Sequence, residues 1–211
     1  MSESTIVHLL RHGEVENPHH ILYGRLPDFH LSANGRLMAL AAADYFAERP
    51  VVAVFSSPLE RAVETARPVA GRLGLPIMTD ERLIEAGNHF EGLAFGVGDG
   101  LLRHPAYWPY LRNPFRPSWG EPYQDIVARM QAVLEVAREA AVGAEAVCVS
   151  HQLPIWATRR MAEGRPLWHN PATRQCALGS VTSFTYSGRR LDGVSYAVPA
   201  RRQVPQGDAA Q

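Results

Sequence analysis

A few residues in this chain have the types and spacing for chemistry, and each follows a short apolar run. Arg11 and His12 come after Thr5 to Leu10. Ser56, Ser57 and, one helical turn on, Arg61 come after Val51 to Phe55. Glu81 and Glu85 follow the short run Pro76 to Thr79, and His151 follows Glu145 to Ser150. Two guanidinium forks beside one another make an anion site, most naturally for phosphate. An imidazole held in such a site is a candidate nucleophile, because it is both neutral and nucleophilic near pH 7. A carboxylate kept protonated by its surroundings can give a proton to a leaving oxygen. A second imidazole adds a donor for charge on the phosphoryl oxygens.

These residues can meet only if the apolar runs lie side by side. Short β-branched runs alternating with helical patterns predict an α/β fold, with a mostly parallel central sheet and helices on both faces. Ligands in such sheets sit at the carboxyl ends of the strands. A helix is expected from Ser32, its N-cap, to about Arg49, with Leu37, Leu40, Ala41 and Phe46 as its apolar face. A second is expected from Ser57, the cap residue, with Pro58 in the first helical position, to Gly71–Gly74. A third should span Glu121 to about Ala141, and a fourth should run from His151 to about Ala162. Ser180 to Tyr186 and Arg190 to Val198 read as a hairpin turning at Ser187-Gly188.

Residues 96–120 differ in composition, with Tyr107, Trp108, Tyr110, Phe115 and Trp119 among Gly and Pro. They read as a small aromatic and Pro-rich cap insertion in a single domain, 1–198. Either it is a lid over the leaving-group pocket or it packs on the sheet edge. Arg103, Arg112 and Arg116 within it, and His89 before it, are the candidate substrate-pocket residues. Residues 199–211 read as a disordered tail.

Composition limits the choices further. The 211 residues carry 21 Lys+Arg against 21 Asp+Glu, and every one of the basic residues is Arg. Without Lys there is no Schiff-base chemistry and no Lys-bearing P-loop. A neutral net charge argues against an extended nucleic-acid footprint. No apolar run approaches the ~20 residues of a membrane span, and the first residues do not resemble a signal peptide. A cytoplasmic location follows as the expectation. Cys148, inside an apolar run, and His8, inside the first strand, read as core residues. His19, His20 and His30 match no common zinc spacing, so no metal is expected.

Leu10-Arg11-His12-Gly13-Glu14 after a strand resembles the signature of the histidine phosphatase superfamily, the phosphoglycerate-mutase-like proteins. Leu31-Ser32-Ala33-Asn34-Gly35, Ser56-Ser57-Pro58-Leu59-Glu60-Arg61, Arg82-Leu83-Ile84-Glu85 and Val149-Ser150-His151 resemble further blocks of that family, in its order. The resemblance implies that His12 attacks phosphorus, and that Arg11, Arg61 and His151 bind the phosphoryl oxygens. Glu85 would serve as acid and then as base, and no cofactor or metal would be needed. Two positions depart from the family's pattern. Pro18 stands where an Asn usually reaches the phosphate, so the adjacent Asn17 is the candidate replacement. The interval from Glu85 to Gly92 is one residue short, which keeps Glu81 as the alternative acid.

The resemblance leaves three activities. A phosphomonoester hydrolase acting on a small phosphorylated metabolite is favoured. The mutases of the family are longer and carry Arg-His-Tyr-Gly after the acid, where this chain has Ala86-Gly87-Asn88-His89. A mutase-type transfer and a non-catalytic phosphate-binding module are the alternatives. The assembly is open between a monomer and a homodimer.

Overall fold

The computed structural model describes residues 4–93 and 120–199. Its six-stranded sheet has the order β3-β2-β4-β1-β5-β6. β1 (Ser4–Arg11), β2 (Val51–Ser56), β3 (Ile77–Thr79) and β4 (Glu145–Ser150) run parallel. β5 (Val181–Ser187) and β6 (Arg190–Ala197) add an antiparallel hairpin at the edge beyond β1. The hairpin turns at Gly188, whose φ of +60° suits a residue without a Cβ. The expected mostly parallel sheet is therefore present.

The alternation of side chains along the strands divides the core between the two faces. Val7 and Leu9 of β1, Ala53 and Phe55 of β2, and Ala146 and Cys148 of β4 pack with α3 (Tyr123–Ala140) and α4 (Gln152–Ala162). Leu10, Val54, Val147 and Val149 pack on the other face with α1 (Ala33–Phe46) and α2 (Glu60–Leu73). Burial raises the Cys148 thiol well above its ordinary pKa, as expected of a core cysteine. Among the described residues no helix is long and apolar enough to cross a membrane.

The helices depart from expectation in three places. α1 ends at Phe46, short of Arg49. Its Leu37 and Leu40 do not face the core but are 63% and 54% exposed. Small residues do the burying instead: Ala39, Ala41, Ala42 and Ala43, with Phe46 closing the last turn. α2 begins at Glu60, with Leu59 as its N-cap, so Ser57 is not the cap residue. The Ser57 amide still donates to Val149 O at 2.9 Å, which keeps it in the sheet and delays the helix. Ser32 does cap α1, accepting from the Gly35 amide at 3.0 Å. Arg103, Arg112, Arg116 and the aromatic run lie outside the described residues, as does the tail beyond residue 199.

Candidate active site

Parallel register brings the chemistry together. β1 and β4 pair so that Arg11 lies opposite Ser150, and the next amide, that of His12, donates to Ser150 O at 3.1 Å. His12 and His151 thus leave neighbouring strand ends, with ring centroids 5.1 Å apart. The loop after β1 then presses on the start of α1. A Cβ at Gly13 would lie 2.5 Å from Gly35 O, so neither glycine has room for a side chain. Gly13 N donates to Thr65 Oγ1 at 3.0 Å, and Thr65 Oγ1 donates to Arg61 O at 2.7 Å. Together these contacts fix α2, and with it Arg61, against the strand ends.

The protonation state of His12 follows from its contacts. Its Nδ1 lies 2.7 Å from Gly13 O. A carbonyl only accepts, so Nδ1 carries the hydrogen and Nε2 keeps its lone pair. Burial, then the charges of Arg11 and Arg61, hold the His12 pKa well below 6.5. The ring is therefore neutral at pH 7, and Nε2 carries the free lone pair. His151 is also driven low, by burial and then by His12 and the two arginines. Its Nε2 meets Ser57 Oγ at 2.8 Å, and its Nδ1 is buried without a partner.

The arginines are only partly satisfied. Arg61 is fully buried, its guanidinium lies 4.8 Å from the centroid of the Tyr23 ring, and its Nη2 donates to Gly24 O at 2.6 Å. Its Nε and Nη1 are buried without partners. Arg11 Nη1 donates to Cys176 O at 2.6 Å, and its Nε is likewise unpartnered. Buried donors normally find acceptors, since an unmade bond costs about 1–3 kcal/mol. Here several cluster on cationic groups at one sheet edge. An anion with several oxygens would satisfy them together.

Glu85 lines a pocket of about 290 Å³ together with Arg11, His12 and Tyr23. Burial raises its pKa from the ordinary value, against the opposing pull of the Ala86 amide and of Arg11, Arg61 and Arg174. The segment carrying Glu85 is anchored by Ser150 Oγ donating to Leu83 O at 2.7 Å and Arg25 Nε donating to Glu85 O at 2.7 Å. Arg129 Nη1 adds a bond to Arg82 O at 2.5 Å.

Arg11, His12 and Glu85 thus line one pocket, with Arg61 buried against its Tyr23 and His151 buried against its His12. Other candidates sit elsewhere. The Asn17 amide binds the backbone of Ile21 through both its ends, at 2.8 and 3.0 Å, and does not line the pocket. His89 is exposed, and neither it nor Glu81 lines the pocket. Glu14 accepts from Ser32 and Asn34 at the start of α1. Arg174, Gln152, Tyr23 and Tyr123 line the pocket but carry no signal in the sequence. Arg174 lies in an irregular connection after α4, where neither periodicity nor a motif picks it out.

Among known proteins, the family model described as histidine phosphatase superfamily (branch 1) matches residues 7–198. An uncharacterized protein of Mycobacterium tuberculosis is 57% identical over 200 residues, which is 95% of this chain and 99% of that protein. A probable phosphoglycerate mutase of Escherichia coli is 29% identical over 187 residues, 83% of each chain. The solved structure of a mycobacterial glucosyl-3-phosphoglycerate phosphatase superposes with a TM-score of 0.71 at 27% identity, covering 90% of this chain and 97% of that one.

Proposed function

This chain belongs to the histidine phosphatase superfamily, and we propose that it is a phosphomonoester hydrolase that works through a phosphohistidine at His12 and needs no metal. The observation that carries this reading is the neutral His12 ring, Nδ1 tied to Gly13 O, beside the unpartnered buried donors of Arg11 and Arg61 and the unpartnered Nδ1 of His151. The phosphoryl oxygens would take those donors, and the two arginines would offset the charge of a phosphomonoester dianion. His12 Nε2 then forms its bond to phosphorus as the ester P–O bond breaks. Glu85, whose pKa burial raises above that of an ordinary glutamate, gives a proton to the departing oxygen. In the second half Glu85 takes a proton from water as the water oxygen attacks phosphorus. The P–N bond breaks, inorganic phosphate leaves, and both residues return to their starting states.

Similarity to the solved mycobacterial glucosyl-3-phosphoglycerate phosphatase supports hydrolysis. The name of the E. coli relative supports the second reading, transfer of the phosphoryl group between oxygens of one phosphorylated acid. Supplying 3-phosphoglycerate separates the two: a hydrolase releases phosphate, whereas a mutase yields the isomeric ester.

Incubation with p-nitrophenyl phosphate in excess EDTA tests the proposal directly. Wild type should release phosphate undiminished by the chelator. His12→Ala should fold and lose at least about 1,000-fold in kcat. Full activity in His12→Ala would remove the nucleophile from this scheme, and loss of wild-type activity in EDTA would remove metal independence.

A further inference from the structure

The pocket wall carries a cation that the hydrolysis above leaves unused. Arg174 follows the 3-10 turn Pro171–Thr173 in the connection from α4 to β5, and its side chain lines the pocket with Arg11, His12 and Glu85. Its Nε donates to His169 Nε2 at 2.8 Å, and its Nη1 donates to Gln152 Oε1 at 3.2 Å. Both partners are neutral. His169 accepts through Nε2 while its Nδ1–H donates to Leu167 O at 2.7 Å, an arrangement that requires the uncharged ring. The rings of Tyr123 and Trp156, at 5.6 and 6.0 Å, hold that imidazole in place. Arg174 is therefore positioned by two fixed acceptors, and among the described residues no carboxylate pairs with it.

The contrast with Arg25 on the same side of the pocket is informative. Arg25 Nη2 meets Glu121 Oε2 at 2.8 Å, and Arg129 binds the same carboxylate. Arg25 thus has a carboxylate bonded to it, although it shares that single charge with Arg129. Arg174 has none, and burial already lowers its pKa. A half-buried cation without a counter-charge is costly unless something else supplies one. Arg11 and Arg61 match the two charges of the phosphoryl group, and Glu85 is neutral while it acts as acid. The charge of Arg174 is left over. Arg174 and Glu85 line the same pocket, and Glu85 is the leading charged neighbour of Arg174, so a leaving group that meets Glu85 would also lie near Arg174.

We propose that Arg174, held by His169 and Gln152, forms a second anion subsite, and that the substrate is a phosphomonoester whose leaving group carries a further anion. A carboxylate and a second phosphate share the required chemistry, and both suit the fork of a guanidinium. The substrate-class part of this inference rests on the hydrolase reading of the site.

Two matched pairs of substrates test it. 3-Phosphoglycerate against glycerol 3-phosphate probes a carboxylate, and fructose 1,6-bisphosphate against fructose 6-phosphate probes a second phosphate. In one pair, wild type should prefer the more anionic member by about tenfold to hundredfold in kcat/KM, the effect of one charged hydrogen bond. Arg174→Gln should bring that preference close to unity, and Arg174→Lys should keep part of it. Gln152→Leu, which releases Arg174 Nη1, should lower the preference less; it also serves if Arg174→Gln does not fold. Equal losses on all four substrates would overturn the subsite, because Arg174 would then act on the phosphoryl group or on Glu85. So would a wild type without preference in either pair that still hydrolyses p-nitrophenyl phosphate. If p-nitrophenyl phosphate is not hydrolysed, the hydrolase reading fails instead. Calorimetric binding of the same pairs to wild type then decides the subsite by itself: a preference lost in Arg174→Gln supports it, and equal binding rejects it.

Discussion

The two ends of the β1–β4 pair bury charge in opposite ways. At the start of β4, Glu145 accepts from His8 Nε2 at 2.9 Å and from Arg49 at 2.7 and 3.0 Å. His8 Nδ1 in turn meets Ser183 Oγ at 2.7 Å, so each polar atom of the His8 ring has a partner. At the carboxyl ends, His12, His151, Arg11 and Arg61 are packed together without a carboxylate bonded to them, and four of their nitrogens have no partner. His8 and His151 are both fully buried, so burial does not distinguish the two ends. What distinguishes them is satisfaction and sign. One end is a closed network of opposite charges. The other gathers two guanidiniums whose buried donors lack an acceptor, which an anion would supply.

Several substitutions would break or sharpen this contrast. Arg61→Leu should lower kcat about 100- to 1,000-fold by removing a donor to the phosphoryl group. It should leave the melting temperature unchanged or higher, because it deletes a buried cation that lacks a counter-charge. A fall in stability as large as that from breaking the Glu145 network would dissolve the contrast.

Glu85→Gln should cost about 100-fold on an alkyl phosphate and much less on p-nitrophenyl phosphate, whose leaving group needs no proton. The pH profile gives the sign independently. The Glu85 pKa is raised, so its acid form persists to higher pH than an ordinary glutamate and is lost as pH rises through that raised value. The ratio of alkyl to p-nitrophenyl kcat/KM should therefore fall with rising pH in wild type and stay flat in Glu85→Gln. A ratio independent of pH in wild type would count against Glu85 as the acid.

At the other end, Glu145→Gln should cost about 1–3 kcal/mol by denaturant unfolding, since it weakens bonds to His8 and to a partly exposed Arg49. kcat/KM should change little. The Glu145 pKa is held below the usual carboxylate range: burial opposes this, but bonds from His8 and Arg49 prevail. Its stabilising contribution is therefore complete above the ordinary glutamate value and is lost as pH falls through its lower folded value. The smallest effect belongs to Leu40→Gln on the exposed side of α1, expected within about 0.5 kcal/mol of wild type. A larger loss would return Leu40 to the core.

Period and position made the fold legible where one residue decided one contact. The central strands β1, β2 and β4 were readable because β-branched runs fill a sheet buried on both faces. Ser32 was readable as a cap because its hydroxyl acts within its own turn. Leu37 and Leu40 misled because helical spacing fits more than one face, and only the close packing of alanines selected the buried one. Ser57 misled because its amide belongs to a ladder formed with a distant strand. His12, Arg11, Arg61, His151 and Glu85 could be placed from strand ends and motif order. Asn17 could not, because whether its amide reaches inward or closes on Ile21 depends on the path of the loop. Arg174 was invisible for a related reason: its position is set by His169 and Gln152, contacts that no local pattern encodes.

The most direct test of a covalent intermediate on His12 is the stereochemical course of phosphoryl transfer. It is read from an ester whose phosphorus is made chiral with oxygen isotopes and sulfur. Two in-line displacements, first by His12 Nε2 and then by water, predict overall retention of configuration at phosphorus. Inversion would mean that water attacks the ester directly, and would contradict the phosphohistidine mechanism.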